Sequence, residues 1–355
     1  MTCKPDDLVR DPLFQLNAVL WLTQPLPQGA EIRPLLHESG FGVWAIAPAL
    51  APPPDLQLRA KDRGVALQAS TRPDVVIANS ERGLFAVTEC KASSFGEESS
   101  NAAQARSLLV VGGPRCSEVL AITPNDVSGT LVAFVLPEDQ KTDFAPTLES
   151  LAGALSDAQL FPGTPCILGL LTSAVAISLA ADAKGAHFFG LEQEPTQFLP
   201  IEENTCPRPL YFIPYDPDHG QSSVEAQYSK RMLFERLLAS AVCVAGRAKP
   251  PCDLLLEADG MLNDAMFGMY GHWEHRDART HMRRLWRDFM KALASEVDRA
   301  VPGTTTYEPQ AGWHVTIDDH DGHKSLLDVL TRFSCERLVV GPAPEPELFD
   351  ALEDP

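Results

Sequence analysis

Residues 73–91, with the sequence PDVVIANSERGLFAVTECK, decide the fold of the first half of the chain. Residues 74–78 form a short apolar run typical of a strand, and residues 79–83 have the polar and glycine composition of a turn. Residues 84–91 form a second run that is apolar on both faces, which is typical of a strand in the middle of a sheet. The stretch therefore predicts two neighbouring strands joined by a tight turn.

Three charged side chains stand in the two apolar runs on either side of the turn, and they are Asp74, Glu89 and Lys91. Strand alternation places Glu89 and Lys91 on one face. Charged groups at the end of a central strand are costly unless they are paired or bind a metal, and such a cost is a pointer to function. The alternative is an ordinary ion pair between Lys91 and one of the two acids, with a structural role alone.

Two acids and one ammonium group suit the hydrolysis of a phosphodiester. Asp74 and Glu89 would bind Mg²⁺, with Mn²⁺ as an alternative, and the backbone carbonyl of Cys90 would be a third ligand. The metal would lower the pKa of a bound water and polarise the phosphoryl oxygen. Lys91 would orient the water and stabilise the charge that develops on the phosphate.

The pattern Pro73-Asp74 followed by Glu89-Cys90-Lys91 resembles the motif of the PD-(D/E)xK, or restriction-endonuclease-like, superfamily. The resemblance covers residues 60–140. It implies an α/β fold with an αβββαβ core and a mixed central sheet. It also implies a catalytic role for Gln104, on the helix after the lysine strand, although the tyrosine that follows this glutamine in some members is absent here.

A glutamate on the first helix is another common ligand in that superfamily, and both Glu31 and Glu38 are candidates for it. Two further Asp-x-Lys triplets occur, at residues 139–141 and 182–184. Neither follows a Pro-Asp strand at a suitable distance. Only the triplet at 89–91 therefore has the complete context of the motif.

Apolar periodicity and turn residues predict the remaining elements. Helices are predicted at 8–24, 101–111, 145–160, 223–246, 276–299 and 324–334. Strands are predicted at 64–70, 119–122, 131–136, 166–180, 187–191, 210–214 and 313–317, with a short helix and a strand within 31–48. Four regions follow: a nuclease-like core at 1–140, a β-rich continuation at 141–221, a largely helical C-terminal region at 222–340 and an acidic, proline-rich tail at 341–355.

Composition limits the possible partners of the protein. The chain has 355 residues, of which 45% are hydrophobic, and its formal net charge is −19. Phosphate neutralisation supplies most of the affinity for DNA, so this charge predicts that a protein partner or a homo-oligomer delivers the nucleic acid. The acidic N-terminus lacks the apolar region of a signal peptide, and no uncharged run is apolar enough to span a membrane. A cytoplasmic protein without a membrane partner is expected.

The predicted helix 276–299 is the most basic segment of the chain. Arg276, Arg279, Arg283 and Arg287 recur at a spacing that places them on one face. They are candidate contacts for the phosphates of DNA, or of RNA. The alternative is a solvated face, or a face that pairs with acids of the same protein.

These observations predict a Mg²⁺-dependent DNA endonuclease. By analogy with the superfamily, its setting is expected to be a complex of a prokaryotic antiviral defence system. The alternative is a catalytically silent subunit that keeps the fold and acts as a scaffold or binds nucleic acid.

Overall fold

The computed structural model describes residues 5–26, 31–201, 210–217, 223–308 and 312–339. The chain forms two compact units. One consists of Met1–Phe212 with His272–His275, and the other consists of Ile213–Gly271 with Arg276–Pro355. The predicted tail at 341–355 lies outside the described residues.

The first unit is built on a seven-stranded mixed sheet. Its strands are β1 (Gly42–Ile46), β2 (Val75–Asn79), β3 (Leu84–Cys90), β4 (Gly129–Pro137), β5 (Thr164–Thr172), β6 (Ala176–Ala181) and β7 (Thr196–Pro200). The strands lie side by side in chain order. The pairs β3–β4 and β4–β5 are parallel and the other four pairs are antiparallel. The predicted α/β class with a mixed central sheet is confirmed.

Eight α-helices belong to the described part of this unit. They are α1 (Pro5–Leu8), α2 (Pro12–Thr23), α3 (Leu35–Glu38), α4 (Pro54–Asp62), α5 (Ser100–Val111), α6 (Cys116–Val119), α7 (Lys141–Asp157) and α8 (Ala183–Phe189). α5 and α7 pack on one face of the sheet, where they form a hydrophobic core with Val76, Val87, Val132 and Phe134. On the strands, Val75, Ile77 and Ala86 alternate with these residues and are also fully buried. α2, which contacts β1, β2 and β3, is buried along nearly its whole length.

The turn between β2 and β3 fixes the register of the two strands. The Asn79 side chain accepts a hydrogen bond from the Arg82 backbone N–H, at 3.0 Å. Gly83 has a φ of +65°, which favours glycine, and a Cβ atom there would lie 2.6 Å from the Asp126 carbonyl oxygen. The strand–turn–strand prediction for this stretch is confirmed.

Four predicted strands are wrong. Residues 64–70 are irregular and follow α4, a helix that the sequence did not predict and that has Pro54 at its first position. Residues 119–122 end α6 and continue in a turn, residues 187–191 belong largely to α8, and residues 210–214 form no strand. Short apolar runs have the same pattern in strands, buried helices and buried turns, so periodicity does not distinguish these three structures.

The second unit is mostly helical, as predicted, with a small added sheet. Its helices are α9 (Ser223–Arg247), α10 (Ala258–Ala265), α11 (Arg276–Ala300), α12 (His320–Arg332) and α13 (Glu336–Val339). Its strands are β8 (Cys252–Leu256), β9 (Thr305–Glu308) and β10 (Gly312–Ile317), in the order β8-β10-β9. The sequence did not predict α10, β8 or β9. Within the described ranges, no helix combines the length and apolar character that a membrane span requires.

Candidate functional site

The pairing of β2 with β3 brings Asp74 and Glu89 to the same end of the two strands. Val75 lies opposite Thr88, so Asp74, one residue earlier, lies across from Glu89. Asp74 Oδ2 accepts a hydrogen bond of 2.6 Å from the backbone N–H of Cys90. This bond fixes the Asp74 carboxylate where the β2–β3 ladder ends.

Lys91 and Gln104 complete a closed network around Glu89. Lys91 Nζ donates to Glu89 Oε1 at 2.7 Å and to Gln104 Oε1 at 3.0 Å. Gln104 Nε2, on α5, donates to the same Glu89 oxygen at 2.8 Å. The structure therefore brings together all four predicted catalytic residues: Asp74, Glu89, Lys91 and Gln104.

This network leaves the Glu89 carboxylate incompletely satisfied. Its Oε2 atom is buried and has no hydrogen-bond partner among the described residues. Burial raises the pKa of Glu89 to about 8, and the charge of Asp74 adds to the rise, although Lys91 and Gln104 oppose it. An ion pair with a purely structural role lowers the pKa of a carboxyl group. The cluster contains two carboxyl groups and one ammonium group, so ionisation of Glu89 beside Asp74 leaves an excess of negative charge.

The donor set fits a Mg²⁺ ion. Asp74 and Glu89 supply carboxylate oxygens, one of them the unpartnered Oε2 of Glu89. The Cys90 N–H points to Asp74, and because the N–H and C=O groups of one strand residue point to the same neighbour, the Cys90 carbonyl faces that side as well. No group of three or more His, Cys, Asp or Glu side chains in the described part of the chain could hold a metal. Mg²⁺ suits such a site because one or two carboxylates and several waters commonly hold it.

Neither candidate for the first-helix glutamate joins this cluster. Glu38 is exposed and forms an ion pair with Arg33 at 2.8 Å. The next residue, Ser39, accepts a hydrogen bond from Asn79, at the opposite end of β2 from Asp74. The five-residue separation of Asn79 from Asp74 corresponds to about 17 Å along a strand. Glu31 is exposed, and no hydrogen bond or ion pair joins it to the four residues.

Helix α2 contributes Gln15, which the sequence analysis did not identify. Its Nε2 atom donates to the carbonyl of Lys91 at 2.9 Å and to the carbonyl of Val9 at 2.7 Å. Gln15 is fully buried, and its Oε1 atom has no hydrogen-bond partner among the described residues. Gln15 therefore fixes the backbone of Lys91 where β3 ends. The feature of the sequence that could have identified Gln15 is a polar side chain within an apolar helix.

Gln15→Ala is expected to lower the free energy of unfolding by about 2–3 kcal/mol, because it leaves the buried Val9 carbonyl and the partly buried Lys91 carbonyl without this donor. Chemical denaturation followed by circular dichroism measures the loss. Gln57→Ala is the matched control, since Gln57 is only half-buried and donates to the Pro52 carbonyl at 2.6 Å. Its expected effect is below about 1 kcal/mol. Equal losses in the two variants would contradict the role given to Gln15.

The other two Asp-x-Lys triplets form different structures. Lys141 pairs with Glu138 at 3.2 Å, and Asp139 pairs with Arg10. Asp182 caps α8 by accepting from the Gly185 N–H at 2.7 Å. Neither triplet therefore brings its own acid and lysine into an ion pair.

The four arginines predicted to contact phosphate have different surroundings on α11. Arg283 forms two hydrogen bonds to Asp259 on α10, at 2.9 and 2.7 Å, and these lower the pKa of Asp259. Arg279 lies 3.7 Å from the same carboxylate and stacks over the ring of Tyr270. Two of the four arginines are thus engaged within their own unit. Arg276 and Arg287 are exposed, and neither forms an ion pair with a described residue.

Comparison with protein-family models, with curated proteins and with solved structures finds no match. The cluster at the end of β3 is therefore interpreted from its own geometry.

Proposed function

We propose that this protein is a Mg²⁺-dependent nuclease that hydrolyses phosphodiester bonds at the cluster of Asp74, Glu89 and Lys91. The observation that carries the proposal is the state of Glu89. This carboxylate is buried, has one oxygen without a hydrogen-bond partner among the described residues and lies beside a second carboxylate. An ionisable group kept in such surroundings is a candidate for function, and a divalent cation would offset the charge that Glu89 carries when it ionises.

The order of elements supports the same proposal. α2, β1, β2, β3, α5 and β4 follow one another in the order αβββαβ, with α3 inserted before β1, α4 after β1 and α6 before β4. This is the order that a restriction-endonuclease-like core requires. The two acids lie at the end of the β2–β3 pair, the lysine directly follows β3 and the glutamine lies on α5, as that core would place them.

Asp74, Glu89 and the Cys90 carbonyl would hold the metal, which supplies an acidified water and polarises the phosphoryl oxygen. Lys91 uses two of its three N–H bonds on Glu89 and Gln104, so one remains for a phosphate oxygen or for the attacking water. Gln104 accepts from the ammonium group and donates to the carboxylate, so a single neutral side chain orients both. Gln15 holds the Lys91 backbone in register.

We propose DNA as the substrate, with RNA as the alternative, because both contain the phosphodiester bond that this site suits. The net charge of −19 favours delivery of the nucleic acid by a protein partner or by a second copy of the chain. By analogy with the superfamily, the proposed setting is a cytoplasmic complex of a prokaryotic antiviral defence system.

A catalytically silent scaffold is the second candidate. The observation that favours it is the closed network in which Lys91, Glu89 and Gln104 bond to one another. Such a network also stabilises a fold without any chemistry.

Incubation of the full chain with plasmid DNA and with single-stranded RNA tests the proposal. We expect cleavage of at least one substrate with Mg²⁺ or Mn²⁺ and none with EDTA. Asp74→Asn keeps an oxygen that accepts from the Cys90 N–H and removes the charge, so the fold is retained while the rate falls by about 100-fold or more. Gel electrophoresis of the products measures the rate. Absence of cleavage with either metal would favour the silent scaffold, and full activity in Asp74→Asn would exclude the proposed site.

A further inference from the structure

Helix α11 carries an exposed row of four basic side chains, here called the α11 stripe, which consists of Arg276, Arg284, Arg287 and Lys291. We infer that the α11 stripe binds the phosphodiester backbone of a nucleic acid. The inference depends on residues of the second unit alone, so it stands whether or not the Asp74 cluster cleaves.

The spacing of the four residues makes the stripe continuous. At about 100° per residue, they fall within an arc of about 80° on the helix surface. Between Arg276 and Lys291 this arc contains one other residue, Thr280, and no acid. The stripe spans 15 residues, or about 22 Å at a rise of about 1.5 Å per residue.

The four cations are available to a ligand. Each is exposed, and none forms an ion pair or a side-chain hydrogen bond with a described residue. Arg279 and Arg283 differ, because Asp259 engages both. Packing fixes the direction in which the stripe points, since the other side of the helix is buried through Ala278, Met282, Trp286, Phe289, Met290, Leu293, Ala294 and Val297.

The chemistry of the stripe favours a chain of phosphates. Three of its four members are arginines, whose planar guanidinium group binds phosphate through two parallel hydrogen bonds. Its length matches about six or seven phosphates of one strand at about 3.4 Å each. Helices that lie on membranes add large exposed apolar side chains, and α11 contributes none to the exposed large hydrophobic residues of the described chain.

Fluorescence anisotropy with labelled duplex DNA and labelled single-stranded RNA tests this inference on the full chain. EDTA is present throughout, so that cleavage does not contribute. The stripe variant carries Arg276→Gln, Arg284→Gln, Arg287→Gln and Lys291→Gln. We expect weaker binding and a shallower salt dependence. If each cation meets one phosphate, the slope of log K against log salt falls by about 3.6 for duplex and by about 2.8 for single strands.

The control variant removes four surface cations that already pair with acids, by Arg33→Gln, Arg115→Gln, Arg231→Gln and Arg299→Gln. Both variants change the net charge equally, so retained affinity in the control and lost affinity in the stripe variant support the inference. The inference would be overturned by equal losses of affinity in the two variants or by an unchanged salt slope in the stripe variant. Absence of binding by the wild type would also overturn it. Binding to anionic vesicles or to polyglutamate with no binding to nucleic acid would also overturn it.

The two proposals fail separately. Binding by the stripe without cleavage would refute the nuclease and leave the stripe. Metal-dependent cleavage together with an unchanged affinity in the stripe variant would support the nuclease and refute binding by the stripe. Lys141→Ala should bind like the wild type in this assay, because Lys141 pairs with Glu138 in the other unit and belongs to neither proposed site.

Discussion

Lys91→Ala is expected to lower the rate of phosphodiester cleavage by about 100-fold or more, the loss that follows removal of one donor to a developing charge. The Lys91 ammonium group is the only cation bonded to Glu89, at 2.7 Å, among the described residues. Removing it takes away the group that would stabilise the charge that develops on the phosphate. Rates of plasmid nicking at saturating metal, measured side by side with the wild type, give the size of the loss.

The same substitution should cost more stability at higher pH than at lower pH. Lys91 is among the groups that hold the pKa of Glu89 down, so its loss raises that pKa and Glu89 stays protonated over a wider range. A neutral carboxyl still bonds to Gln104, so the melting temperature should be closest to that of the wild type near pH 6. Above pH 8 it should fall below the wild type, because ionising Glu89 without its cation is costly.

Lys141→Ala is the matched control for Lys91→Ala. Lys141 ends an Asp-x-Lys triplet, as Lys91 ends a Glu-x-Lys triplet, and it also pairs with a glutamate, at 3.2 Å, in the same unit. It lies outside the proposed site, so cleavage should continue at the rate of the wild type. A Lys91→Ala protein that keeps most of its activity, or a Lys141→Ala protein that loses as much, would remove Lys91 from the mechanism.

Glu89→Gln is expected to abolish stabilisation by Mg²⁺ and to flatten the dependence of stability on pH. The folded state raises the pKa of Glu89 from 4.5 to about 8, so it holds a proton that the unfolded chain has released. The wild type is therefore favoured below pH 4.5 and loses stability as the pH rises towards 8. A glutamine has no such proton, so the melting temperature of the variant should exceed that of the wild type increasingly over this range.

Mg²⁺ should stabilise the wild type more strongly as the pH rises. A cation at Glu89 competes with the proton, so the rise in melting temperature with Mg²⁺ should be larger at pH 8.5 than at pH 6.5. Differential scanning fluorimetry at both pH values measures this rise. Glu138→Gln makes the same chemical change at a partly buried glutamate that pairs with Lys141, and should leave the rise intact. An equal rise in Glu89→Gln and in the wild type would place the metal elsewhere.

Local patterns were sufficient to predict the centre of the site. A turn of four residues joins β2 to β3, so alternation within two adjacent runs sets the register that aligns Asp74 with Glu89. Gln104 follows Lys91 by 13 positions on a helix that begins directly after a short loop. Each of these relations depends on residues close in sequence, and periodicity reports such relations well.

Contacts between distant segments were beyond the reach of these patterns. Gln15 meets Lys91 across 76 positions, and its role follows from how α2 packs, which no spacing within the helix reveals. The arginines of α11 show the same limit. Their helix was predicted, yet its rotation was not, because α10, which supplies Asp259, was itself unforeseen. The sequence could therefore not separate the engaged Arg279 and Arg283 from the exposed cations beside them.

The bond from the Cys90 N–H to Asp74 has an evolutionary consequence. At this position the backbone N–H requires only an oxygen acceptor, whereas binding of a divalent ion requires a negative charge. One nucleotide change turns an aspartate codon into an asparagine codon. The asparagine provides the oxygen acceptor but not the negative charge. Under the proposed function, a lineage that carries this scaffold thus lies a single mutational step from a well-folded descendant that does not cleave phosphodiester bonds.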